Sequence, residues 1–148
     1  MPTKHKGTQE EIRALDVYIK LQRASETVLT RTTSHLADYD LTVSQFAVLE
    51  ALYHLGVLSQ RDLANKLLQS TGNISTVLKK LEKRGLISRE RDPDDNRYMQ
   101  VRITDAGMEK LKSCFGPHVR GIVEEMSILT ADEQDELARL CRKLGLRD

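Results

Sequence analysis

The chain has 148 residues, a net charge of +1, a hydrophobic fraction of 39% and no Trp. This length suits one domain, or one domain with helical extensions. No apolar run approaches the ~18 residues that cross a bilayer, and the polar start MPTKHKGTQEE lacks the apolar stretch of a secretion signal, so membrane and secreted classes are excluded and the expected compartment is the cytoplasm.

The small net charge conceals an uneven distribution. Residues 1–41 hold six basic and six acidic groups; Thr42 to Thr104 hold ten basic and seven acidic; the remainder holds seven basic and nine acidic. Positive charge collects in the middle, where an anionic partner would be met.

The first predicted element is a long helix from Glu10 to about Leu36. Ile12, Leu15 and Ile19 lie on one face, and Tyr18, Leu21, Val28 and Leu29 widen the stripe, so burial against two neighbours is expected. HLADYDL breaks the pattern. Thr42-Val43-Ser44-Gln45 reads as a capping box that opens a helix with Phe46, Leu49, Leu52 and Tyr53 at helical spacing, ended by Gly56. Ser59-Gln60-Arg61-Asp62 opens the next helix in the same way, with Leu63, Ala64 and Leu67 inward. Two short helices joined by a short turn begin a helix-turn-helix.

Ser70 caps a third helix in which Ile74, Val77, Leu78 and Leu81 follow the i, i+3, i+4, i+7 rule and face the core. At about 100° per residue the opposite side presents Gly72, Thr76, Lys79 and Lys83, flanked by Asn73, Ser75 and Lys80. Gly85 suits the C-terminal end of this helix. Leu86 to Arg91 is extended, Asp92-Pro93-Asp94-Asp95-Asn96 is dense in turn formers, and Tyr98 to Ile103 alternates apolar and polar residues; a hairpin with its tip near Asp95 to Arg97 is expected. Thr104 caps a second long helix to about Ile128, with Leu111, Phe115, His118, Ile122 and Met126 as its stripe and a kink or brief break at Gly116-Pro117. Thr130-Ala131-Asp132-Glu133 starts a last helix carrying Leu137, Leu140, Cys141 and Leu144 and ending at Gly145.

The predicted fold is mainly α with a small β-hairpin. Helix, hairpin and tip arginine in this order suit double-stranded DNA. The major groove admits a helix and displays distinct donors and acceptors. Asn73, Ser75 and Thr76 are short enough to reach base edges from a closely pressed helix; Ser70 and Thr71 stand beside free N–H groups that attract phosphate; Lys79 and Lys80 are compact charges suited to phosphates. Arg89 and Arg91 on the first strand would touch backbone. A winged helix used only for protein–protein contact remains an alternative. No Gly-rich phosphate loop, GxSxG or HExxH is present, so an enzyme is not expected. The histidines lack metal-ligand spacing, and neither a metal nor a cofactor is expected. Cys114 and Cys141 lie far apart, outside any CxxC, as reduced thiols packed on helices; a thiol-based redox sensor through Cys114 or Cys141 is a further alternative.

The order of elements and the hairpin resemble the MarR family of winged-helix regulators. That family's wing runs roughly Asp-Pro-x-Asp-Arg-Arg, three residues, Val-x-Leu-Thr, two residues, Gly. Asp92, Pro93, Asp95, Arg97, Val101, Thr104 and Gly107 match it; Ile103 replaces the leucine and Asn96 replaces the first arginine. Gly72-Asn73-Ile74-Ser75 and the Leu-x-x-Leu-x-x-x-Gly-Leu-Ile that follows also look like the family. The resemblance implies a winged helix-turn-helix lobe over about 42–104, flanked by dimerisation helices at about 10–38 and 105–146 of a single 1–148 domain. It implies that Arg97, steadied by Asp95, enters the minor groove. It implies a homodimer that represses by occupying a pseudo-palindromic operator. A small-molecule effector would bind near Tyr18, His35, Phe46, Tyr53 and His54. Phe46-Ala47-Val48-Leu49-Glu50 and Pro117-His118 look closer to members that answer to aromatic or phenolic compounds.

Overall fold

The computed structural model describes residues 3–147, in which two compact units are distinguished: residues 35–117, and the segments up to Ser34 and from His118 onward.

The central unit holds the helix-turn-helix and the hairpin. A 3-10 helix, Ser34–Tyr39, leads through Asp40 into α2, Val43–Leu55. The α2 start carries the expected box: Thr42 Oγ1 accepts from the Gln45 amide at 3.1 Å, and Gln45 Oε1 accepts from the Thr42 amide at 3.0 Å. Gly56, at φ 78°, ends it. Then follow β1 (Leu58–Ser59), α3 (Gln60–Lys66) and α4 (Thr71–Lys83). The hairpin is β2 (Ile87–Arg91) with β3 (Met99–Ile103), and the long helix α5 (Asp105–Met126) leaves it. All three strands are antiparallel in the order β1-β3-β2, with Ile87 opposite Ile103, Arg91 opposite Met99 and Leu58 opposite Val101.

The core of this unit joins Leu36, Phe46, Leu49, Leu52, Leu63, Ile74, Leu78, Leu81, Val101 and Leu111, all at most 3% exposed. The inward stripe of α4 therefore carries its fixed orientation. The hairpin is tied to α5 through Thr104. Its amide donates to the Leu86 carbonyl at 3.1 Å, its hydroxyl donates to the Gly85 carbonyl at 2.7 Å, and it accepts from the Gly107 amide at 3.1 Å. Gly107 has no room for a side chain, because a Cβ there would run into the Leu86 carbonyl oxygen.

The second unit contains α1 (Gln9–Thr33), the end of α5 and α6 (Ala131–Leu146). Arg31 pairs with Glu125 at 2.8 Å, and His118 Nδ1 lies 3.2 Å from the Thr32 carbonyl oxygen. None of the residues of α6 is buried, and Leu137, Leu140 and Leu144 are 44–57% exposed.

Several expectations are corrected. The first helix starts at Gln9, behind a Thr8–Glu11 capping box, and stops at Thr33; the residues toward Leu36 tighten into the 3-10 turn, which brings Leu36 into the core. The hairpin gains a third strand, too short for period-2 alternation to reveal. Helix α5 passes through Gly116-Pro117 unbroken: a lost backbone bond at one proline is tolerated between two long helical arms. Helix α6 runs past Gly145 to Leu146, where Arg147 takes the left-handed cap. Helix α3 shows the Ser59 half of its box, Ser59 Oγ accepting from the Asp62 amide at 3.0 Å.

Candidate nucleic-acid interface

Helix α3 ends in a Schellman turn. The Gln69 amide donates to Ala64 O at 2.9 Å and the Leu68 amide to Asn65 O at 3.3 Å, with Leu68 itself left-handed at φ 53°. The chain is thereby turned into Ser70, whose extended backbone and Oγ (3.2 Å from the Asn73 amide) cap α4. Gln69 Nε2 donates to Ser44 Oγ at 3.3 Å, so the turn is also held by α2.

With Ile74, Leu78 and Leu81 fully buried, Ser70, Thr71, Asn73, Thr76, Lys79 and Lys80 are exposed together along α4, while Ser75 is half-buried. Thr76 Oγ1 donates to the Gly72 carbonyl at 3.2 Å, which leaves its lone pairs outward. The first turn of α4 carries no acidic residue, so its unpaired N–H groups keep their attraction for an anion.

The hairpin tip is a braced loop. The Asp92 amide donates to Tyr98 O at 2.9 Å, and the Tyr98 amide to Asp95 O at 3.1 Å. The Asp92 carboxylate accepts from the Asp94 amide at 2.8 Å and from Gln100 Nε2 at 2.7 Å, and those bonds hold it below the usual carboxylate range. Arg91 Nη1 donates to the Asn96 carbonyl at 2.8 Å. Asp95 and Arg97 are brought together as a fork: Nε donates to Oδ1 at 2.9 Å, Nη2 to Oδ2 at 2.8 Å, and the Arg97 amide to Oδ1 at 3.1 Å. This pairing holds the Asp95 carboxyl low and pushes the Arg97 guanidinium up. Arg97 nonetheless stays 82% exposed by its side chain, with its guanidinium 5.8 Å from the Tyr98 ring centre.

Arg89 is placed differently. Its side chain is 14% exposed, with the guanidinium turned onto Glu82 and Gln60. Three partners escaped the sequence reading: Glu82, Gln60 and Arg84. Arg84 Nη1 donates to Gln45 Oε1 at 3.3 Å, and its Nη2 lies 3.5 Å from Asp40. Such long-range polar pairs leave no periodic trace.

Of the candidate effector residues, His35, Phe46, Tyr53 and His54 belong to the central unit. Phe46 is 3% exposed, in the core. Tyr53 and His54 meet edge-on at 5.1 Å, with His54 at 6.0 Å from Phe115; His35 is edge-on to Tyr39 at 6.3 Å. Tyr18 stands 62% exposed on α1 in the other unit. Cys114 is buried, donates to the Leu111 carbonyl at 3.3 Å, and has its thiol pushed up by that burial, whereas Cys141 is exposed. Among the described residues no group of three or more His, Cys, Asp or Glu could hold a metal ion, and no helix is long and apolar enough to cross a membrane.

The sequence profile of the MarR family matches residues 41–98, from the start of α2 to the end of the hairpin loop. The chain is 34% identical over 139 residues to YkoM, an HTH-type transcriptional regulator of Bacillus subtilis (strain 168), covering 93% of this chain and 90% of that one. Among solved structures it is similar to BpsR of Bordetella bronchiseptica, whose DNA binding is regulated by 6-hydroxynicotinic acid (TM-score 0.79, 26% identity, 88% of this chain and 98% of that chain). It is also similar to a cysteine-to-serine mutant of MarR from E. coli complexed with operator DNA (TM-score 0.76, 25% identity, 87% and 96%). Sequence, capped reading helix and wing converge: this chain belongs to the MarR family of winged helix-turn-helix transcriptional regulators, DNA-binding proteins rather than enzymes.

Proposed function

We propose that this protein is a homodimeric cytoplasmic repressor. Its lobe over about 42–104 reads a pseudo-palindromic operator, its helices at about 10–38 and 105–146 dimerise, and a small aromatic or phenolic ligand releases it. The observation that carries the DNA reading is Arg97, held outward by Asp95 on a loop whose backbone is closed by its own hydrogen bonds. An arginine so presented suits a narrow, negative minor groove. Ser70, Thr71, Asn73, Ser75 and Thr76 would face base edges and phosphates from α4, with Lys79 and Lys80 on phosphates and Arg91 steadying the wing. The solved complex of the MarR mutant with operator DNA supports the same mode here.

Dimerisation is supported by apolar surface that the second unit leaves open. Val17, Leu140 and Leu144 line a recess of about 760 Å³, and Val123 and Leu137 are also exposed. An isologous pair would present two wings to half-sites about one helical turn apart. Bound across a promoter, such a dimer excludes polymerase. The ligand reading is supported by BpsR, which answers to a hydroxylated aromatic acid; His35, Tyr53 and His54 supply polar-edged rings in the central unit and Phe46 a buried one, while Tyr18 offers an exposed phenol on α1. A ligand releases DNA only through a difference in affinity for the two states. The raised, buried thiol of Cys114 works against a redox switch at that residue.

The test is selection from a random-sequence duplex pool, followed by fluorescence anisotropy at several salt concentrations and light scattering for mass. Recovery of a two-fold-related motif bound tightly by a dimer, with Arg97→Ala weakening it and leaving the mass unchanged, is the expected result. Equal, weak binding to selected and unrelated duplexes would overturn the reading in favour of a protein-contact module.

A further inference from the structure

Arg89 lies on β2, the first strand of the wing, and its side chain reaches back to both helices of the helix-turn-helix. Nε and Nη2 donate to the two oxygens of Glu82 on α4 at 3.3 and 3.0 Å, and Nη1 donates to Gln60 Oε1 at the start of α3 at 3.4 Å. Glu82 follows the last buried residue of α4, Leu81, and its carboxyl is held low chiefly by this bond. The two-pronged contact matches the planar fork of a guanidinium, which a lysine cannot reproduce. With 14% of its side chain exposed, Arg89 has little surface left for a phosphate.

From this geometry we infer that Arg89 is a positioning residue for operator recognition, not a phosphate contact: it locks the wing to the recognition helix through Glu82, so that α4 and Arg97 address the duplex as one rigid reader. The lock joins three elements, α3, α4 and β2, that are otherwise tied there through apolar packing. Without it the wing and α4 keep their groups but lose their common register. Sequence-specific binding, which needs both at once, then weakens, whereas loose attraction to any duplex does not.

The inference rests on the DNA-binding reading, and its test separates the two. Wild type, Arg89→Lys, Arg89→Ala, Glu82→Gln and the Glu82→Gln/Arg89→Ala pair are titrated against the duplex that wild type recovers from a random pool, and against an unrelated duplex of equal length, across a salt series. A wild type that recovers no sequence defeats the DNA reading itself. Given a recovered sequence, a lock predicts that Arg89→Lys and Glu82→Gln each lose about three- to thirty-fold in affinity for it. It also predicts an unchanged salt slope, no loss on the unrelated duplex, and no further loss in the pair. A phosphate contact predicts the reverse: Lys rescues, Arg89→Ala lowers the slope by about 0.9, and Glu82→Gln, with one acid fewer, binds as well as wild type or better. That second pattern would overturn the inference. Glu82→Gln removes no buried apolar group, so the comparison survives even if Arg89→Ala unfolds.

Discussion

Leu68 combines two unfavourable features, a left-handed backbone at φ 53° and a side chain 94% exposed, at the turn between α3 and α4. Replacing it by glycine pits three effects against each other. Relief of the left-handed conformation for a residue with a Cβ is worth about 1–2 kcal/mol. The greater freedom of glycine in the unfolded chain takes back about 0.4–1 kcal/mol. Lost burial is small: complete burial of a leucine is worth about 1.5–3 kcal/mol, and this side chain is almost wholly in water. The net is a stabilisation of about 0.5–1 kcal/mol, which raises the unfolding midpoint by about 1–4 °C at this chain length. Urea and thermal unfolding at fixed protein concentration measure it. The mirror experiment is Gly85→Ala, at φ 74°, which the same reasoning expects to destabilise by about 1 kcal/mol. A Leu68→Gly variant less stable than wild type by more than about 0.5 kcal/mol would refute the backbone argument, and would mean that the leucine is covered in the protein as it exists in solution.

Further expectations concern the core, the wing and the thiols. Leu78→Ala, at a fully buried position on the inward stripe of α4, is expected to lose about 2–5 kcal/mol in urea unfolding; a loss under about 1 kcal/mol would show that the site collapses to fill the space. Asp95 has its folded titration depressed by Arg97, so the contribution of the pair is complete above the ordinary Asp range and disappears as pH falls through the lowered value. Carbon NMR of the carboxyl should show this, with Arg97→Ala returning Asp95 to ordinary titration; identical curves in both proteins would break the link. Cys114 should resist iodoacetamide until the chain is unfolded, as peptide mass spectrometry can follow. Rapid labelling of the native protein would revive the thiol-switch reading.

Much of the fold is legible because its signals are local. The Thr42–Gln45 box, the Ser70 cap and the Ile74–Leu81 stripe each depend on residues three or four apart, and each stands as read. The Asp95–Arg97 fork is equally local, two residues apart. Resemblance sharpened the wing, where Gly107 matches a family position whose reason is visible only in three dimensions, in the Leu86 carbonyl against its Cα. What escaped was non-local or marginal. Strand β1 is two residues long and exists because β3 offers a free edge. Arg89 reads from the sequence as a strand cation for the DNA backbone, and only the fold reveals that Glu82 and Gln60 face it. Residues 34–36 look like a helix end to a periodicity argument, since a 3-10 turn preserves roughly the same short-range spacing.

The loop Asp92 to Tyr98 contains three aspartates and one arginine, and its tip arginine is already neutralised by one of them. Across the whole wing Arg89, Arg91, Arg97 and Arg102 are balanced by Glu90, Asp92, Asp94 and Asp95, so beyond a Debye length of about 10 Å it exerts little pull on a polyanion. Only a groove that brings acceptors within hydrogen-bonding distance can compete with Asp95 for the guanidinium. If Arg97 enters the minor groove as proposed, the wing adds little to indiscriminate adhesion along a chromosome and reserves its contribution for sites of the right shape. It would thereby widen the ratio between specific and non-specific affinity, the quantity that decides how much of a scarce regulator is found at its site.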